Sequence, residues 1–142
     1  MVTDRRPTSP LTRCLQLNAL ALAFSLMHVI GDYAILTAQM GGDALALPWY
    51  LAVGGAVYGW WGWSLARAGA GSRSALYSLL VLSMVWAAAL NGGSLVFTSI
   101  TILLADVIHF GSLLFGLGAA YATWRQLRTQ QPAPLRSADA SL

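Results

Sequence analysis

Four side chains in this sequence have the types and spacing to do chemistry together. His28 and Asp32 are four residues apart, and Asp106 and His109 are three apart. Either spacing puts both members of a pair on one face of a helix. Imidazole and carboxylate side by side form a unit that can take up, hold and release a proton. The same four groups are also a plausible ligand set for a divalent transition metal, and the two imidazoles alone could be axial ligands of haem b. The catalytic candidates are therefore Asp32, Asp106, His28 and His109. All four are metal candidates, and His28 and His109 are the cofactor candidates.

The surrounding sequence makes these residues unusual. The chain has 142 residues, of which 57% are hydrophobic and only 9% are charged. Soluble domains carry roughly 25% charged residues, and a chain this short has proportionally more surface to cover. The composition predicts an all-α integral membrane protein with the lipid bilayer as its first partner. All eight basic residues are Arg, there is no Lys, and the five acids are all Asp. Lysine Schiff-base chemistry, including that of retinal proteins, is therefore excluded. The small multidrug exporters and the membrane glutathione and eicosanoid enzymes depend on a Glu that this chain lacks. Cys14 is the only cysteine, which excludes an internal disulfide and a Cys-x-x-Cys redox pair. The net charge of +3 belongs to arginines beside apolar runs, so it orients the chain in a membrane and does not imply a nucleic-acid partner.

Four apolar runs, at about 15–38, 47–66, 74–91 and 97–124, each approach or exceed the ~20 residues needed to cross the hydrocarbon core as a helix. They predict a four-helix transmembrane bundle, up-down-up-down, over 15–124. Residues 1–14 form a cytoplasmic N-terminal tail and 125–142 a flexible cytoplasmic C-terminal tail. Between the third and fourth runs only Asn91-Gly92-Gly93 signals a break. Arg5, Arg6 and Arg13 precede the first run, Arg67 and Arg73 flank the second connection, and Arg125, Arg128 and Arg136 follow the fourth. The other two connections carry no basic residue. This arrangement predicts cytoplasmic termini and a cell-membrane location. The first run is too long for the apolar region of a signal peptide. Trp49, Tyr50, Trp60, Trp61, Trp63 and Trp124 are read as interfacial anchors. Gly55 and Gly59, and likewise Gly111 and Gly118, are read as close helix packing within the bundle, with dimerisation as their other use.

Helix packing accounts for most of this sequence, but not for the polar stripe of the first helix. Asn18, Ser25, Asp32 and Gln39 recur there every seven residues, with His28 beside them. On the fourth helix Ser99 lies seven residues before Asp106. With Cys14 and Trp124 taken as the cytoplasmic ends, His28 is fourteen residues in and His109 fifteen, while Asp32 and Asp106 are each eighteen in. In an antiparallel bundle the two histidines then share one level and the two aspartates another, about one turn further out.

A mid-membrane ionisable group costs roughly 3 kcal/mol on insertion scales, so four of them on two helices need a reason. Two ionised carboxylates at one depth would repel, which calls for a shared proton or cation. The first use is proton handling, either as a relay or as acid and base on a small lipophilic substrate entering from the bilayer. The second is a divalent transition metal, with haem b less suited because close-packed helices leave little room and the aspartates no role. The third is a structural clasp, as in an accessory or assembly subunit of a larger membrane complex. Ion or solute translocation would call for a homodimer. Tyr33, Tyr58 and Asn91 are candidates for supporting hydrogen bonds, each equally readable as an interfacial or turn residue.

Overall fold

The computed structural model describes residues 9–39, 47–93 and 102–130, and within them the side chains outside 32–39, 47–50, 90–93 and 102–106. The described chain is all-α. Its four helices are α1 (Pro10–Gln39), α2 (Leu47–Gly69), α3 (Arg73–Gly93) and α4 (Ile102–Thr129).

Local signals set the helix ends. Ser9 caps α1, its Oγ accepting from Thr12 N at 3.1 Å, and Pro10 occupies the first helical position, where its missing N–H costs nothing. The helix thus starts ahead of the apolar run. At the end of α2, Ser72 N donates to Arg67 O and Gly71 N donates to Ala68 O, both at 3.0 Å, and Gly71 has φ +87°. This is a glycine-terminated helix end that satisfies the last carbonyls of α2. Ser72 then caps α3 through Ala75 N, which donates to its Oγ at 3.4 Å. The connection is short, so α2 and α3 form a helical hairpin.

Around the bundle, α1 packs on α4, α4 on α3, α3 on α2 and α2 back on α1, with only a thin diagonal contact between α1 and α3. The most extensive pairing is α1 with α4. Asn18 meets Thr123 and His28 meets His109, so the two helices run antiparallel. Their shared seam alternates steps of three and four residues. It comprises Cys14, Asn18, Ala21 and Ser25 on α1, and Ser112, Gly116, Ala119 and Thr123 on α4, all buried. Such alternation is the signature of knobs-into-holes packing at a small crossing angle. Small residues let the backbones approach. The Phe24 ring, 4.9 Å from Phe115, lies where a Cβ on Gly111 would sit, with ring carbons at 2.5 and 2.7 Å.

Small polar side chains share the interior with an apolar core that includes Trp61, Leu76 and Leu79, and large apolar residues also cover the outside. Asn18, Ser25, Ser64, Ser83, Ser112 and Thr123 are fully buried. Large apolar residues point outward from every helix, including Ile30 on α1, Leu51 on α2, Val85 on α3 and Leu114 on α4, the last 68% exposed. Two stretches, Pro10–Gly31 and Val107–Thr129, are long and apolar enough to cross a membrane, and only 22% of each such window is buried in the bundle. A shorter apolar stretch covers Arg73–Ala89.

Two expectations about α2 are corrected. Gly55 and Gly59 do not pack inside the bundle: a Cβ at either would meet nothing within 4 Å, as at Gly54 and Gly62. They line an open groove with Ala56, Trp60 and Trp63. Trp61, grouped with the interfacial anchors, is instead a core residue at 1% exposure. Trp60 and Trp63 are exposed, the latter beneath the Arg67 guanidinium at 5.4 Å, and Trp124 lies under Arg128 at 4.1 Å.

Candidate functional site

The two histidines come together. α1 carries His28 one turn beyond Ser25, and α4 carries His109 one turn before Ser112, so the seam that buries the serines also brings the imidazoles face to face. Their ring centroids are 5.2 Å apart, with the planes inclined at 61°. Both rings are half-buried, on a seam otherwise made of small residues. His109 also meets Phe110 edge-on at 6.0 Å.

Asp32 lies in α1 one turn beyond His28, and Asp106 lies in α4 one turn before His109. Their side chains fall outside the described residues, as do those of Tyr33, Gln39, Trp49, Tyr50, Asn91 and Ser99. Antiparallel α1 and α4 set both aspartates on the same side of the histidine level along the bundle.

Two residues join the histidines from the other helices. Trp86 of α3 meets His28 edge-on, with centroids 6.2 Å apart and planes at 81°. Tyr58 of α2 stands 6.2 Å from Trp86, and its hydroxyl donates to Ser25 O at 3.2 Å. Tyr58 was readable in the sequence as a possible hydrogen-bond donor. Trp86 was not singled out, because its type and position in an apolar run do not set it apart from Trp60 and Trp61.

A separate polar cluster joins α1 and α4 nearer the N-terminal end of α1. Asn18 Nδ2 donates to Thr123 Oγ1 at 2.8 Å and to Cys14 O at 3.0 Å. Thr123 Oγ1 donates to Ala119 O at 2.7 Å, and the Cys14 thiol lies 3.4 Å from Thr123 Oγ1. The single hydroxyl hydrogen of Thr123 is committed to Ala119 O, so the thiol is the donor to Thr123. This buried network ties the two helices together without help from the histidines. The sequence pattern marked Asn18 but gave Thr123 no role. Thr123 lies fourteen residues after His109, a two-heptad spacing that places it on the same seam.

The distance between the imidazoles limits what they can hold. Trans axial ligands of a haem iron, at about 2 Å per Fe–N bond, place their ring centres above about 6 Å apart with a porphyrin between them. Rings in contact at 5.2 Å leave no slot for that plate, so the pair does not fit haem b. We expect detergent-purified protein incubated with haem to show no Soret shift attributable to bis-histidine ligation; a shift lost in His28→Ala would contradict this. Two imidazoles on one tetrahedral cation would stand about 5 Å apart, compatible with the observed spacing. Among the described residues, however, no group of three or more His, Cys, Asp or Glu side chains is placed to hold a metal.

No family model matches the chain, and no curated protein or solved structure is similar to it. Fold and site thus define a four-helix protein with an imidazole pair on its principal helix seam.

Proposed function

We propose that the chain is a multi-pass membrane protein with four spans and cytoplasmic termini, and that His28 and His109, with Asp32 and Asp106 one turn away, form a proton-handling site. Membrane residence is supported by the large apolar residues on the outer surface of every helix. Leu51, Val85, Leu114 and their like would form a costly apolar surface in water, whereas lipid solvates them. Arginine at both termini and at the α2–α3 turn supports the orientation.

The observation that carries the proton reading is the imidazole–imidazole contact at 5.2 Å. Two imidazoles this close cannot both be cations without strong repulsion in an apolar setting, so a proton on one is felt directly by the other. Neither ring is fully buried, which leaves the pair reachable from outside the bundle. A structural clasp explains the pair less well, because Asn18 and Thr123 already lock α1 to α4. The site would serve as a relay, or as acid and base toward a lipophilic molecule entering from the bilayer.

The test uses sealed vesicles with an entrapped pH-sensitive dye. Vesicles containing the protein should dissipate an imposed pH gradient faster than empty ones, and His28→Asn or His109→Asn should remove the excess. Thr123→Val, which weakens only the clasp, should retain it. No excess flux over empty vesicles would sink the relay.

One observation favours a second reading, that of a subunit in a larger assembly or a homodimer. The Gly55–Gly59 face of α2 is open, and small residues four apart are the pattern by which membrane helices approach closely.

A further inference from the structure

A continuous set of contacts runs through all four helices and ends at the histidines. Ser25 O on α1 accepts from the Tyr58 hydroxyl on α2 at 3.2 Å. The Tyr58 ring meets Trp86 on α3, Trp86 meets His28 on α1, and His28 meets His109 on α4. Trp86 also lies beside α4, where a Cβ added at Gly116 would stand in ordinary contact with its Cδ1 at 3.9 Å. Trp86 Nε1 is buried with no hydrogen-bond partner among the described residues. Among the described residues, packing and not a hydrogen bond holds the indole in place.

From this arrangement we infer that Tyr58 and Trp86 are positioning residues, a brace that holds the His28 ring against His109. The inference rests on the proton-handling reading only for its functional consequence. An imidazole at a half-buried position has several side-chain rotamers open to it, and an aromatic edge beside it removes those that clash. Ser25 and His28 share α1 one turn apart, so Tyr58 references its position to the very turn that carries His28. The brace thus fixes the ring relative to its own helix as well as to its neighbour. A tryptophan that merely filled the core would contribute stability and leave the imidazole geometry alone.

The test compares Trp86→Leu, Trp86→Phe and Tyr58→Phe in full-length protein in lipid nanodiscs and vesicles. The first readout is the nuclear Overhauser cross-peak between the two histidine rings; the second is the proton flux described above. Trp86→Leu keeps apolar bulk but has no aromatic edge, and should lose the cross-peak and at least 90% of the excess flux. Trp86→Phe restores an aromatic edge and should recover both. Tyr58→Phe keeps its ring and loses only the bond to Ser25 O, which should weaken the cross-peak and lower flux about fivefold, the equivalent of one ordinary hydrogen bond. A cross-peak unchanged in Trp86→Leu overturns the brace, whatever happens to the flux. If wild-type protein carries no excess flux but the cross-peak follows the expected order, the brace stands and the proton reading alone falls. Should Trp86→Leu fail to fold, Tyr58→Phe decides: full retention of the cross-peak overturns the inference.

Discussion

Leu114→Arg is expected to shift the membrane insertion of α4 by about 3 kcal/mol, roughly 100-fold, against the inserted state. Leu114 is 68% exposed on the outer face of α4 and lies ten residues from Trp124. At 1.5 Å per residue that is about 15 Å, half the thickness of a hydrocarbon core. An arginine there has no neighbouring helix to hide behind and too long a path for its guanidinium to reach headgroups without cost. A water-soluble bundle predicts the opposite sign, since replacing an exposed leucine with arginine would improve solubility at little cost. Alkaline carbonate extraction of expressing membranes separates the two. Wild-type protein should stay in the pellet and Leu114→Arg should leave it or fail to accumulate. A folded, soluble variant with undiminished helix content would overturn the membrane reading.

That contrast also shows which parts of the molecule were legible beforehand. Helix number followed from long apolar runs, and the approach of His28 to His109 followed from matching their depths on antiparallel helices. Depth is a one-dimensional property, fixed by counting residues from the helix ends. Angular position is harder to read when both faces of a helix are apolar, because hydrophobic periodicity then loses its contrast. Gly55 and Gly59 illustrate this: their spacing shows that they share a face but not whether that face turns inward. The same ambiguity assigned Trp61 to the interface when it lies in the core beside outward-facing Trp60. On α1 the seven-residue repeat of Asn18 and Ser25 did identify the buried face, because polar groups among apolar ones restored the contrast. The residues sequence reasoning passed over, Trp86 and Thr123, are those whose roles depend on a partner from another helix. Neither type nor spacing on its own helix announces that partner.

The aspartates provide the sharper test of the chemistry. Asp32→Asn and Asp106→Asn are each expected to reduce the excess proton flux about 100-fold, within the range that a positioned acid or base contributes to a proton-transfer step. Each lies one helical turn from a histidine on its own helix, and the substitution keeps the side chain's size while removing its ionisation. Insertion should become easier, since a neutral amide is less costly in hydrocarbon than a carboxylate. Any loss of function then cannot be charged to failure of the helix to enter the membrane. The clasp provides the opposite control. Thr123→Val leaves Asn18 Nδ2 without its interhelical acceptor in a fully buried position, which should cost about 1–3 kcal/mol of stability with the flux intact. Thermal unfolding in detergent and flux in vesicles, measured on the same three variants, separate the two polar clusters. The proton reading requires that the aspartate variants lose flux at wild-type stability and that the clasp variant loses stability at wild-type flux. If the aspartate variants unfold while the clasp variant is unaffected, Asp32 and Asp106 are structural and the accessory-subunit reading replaces the proton site.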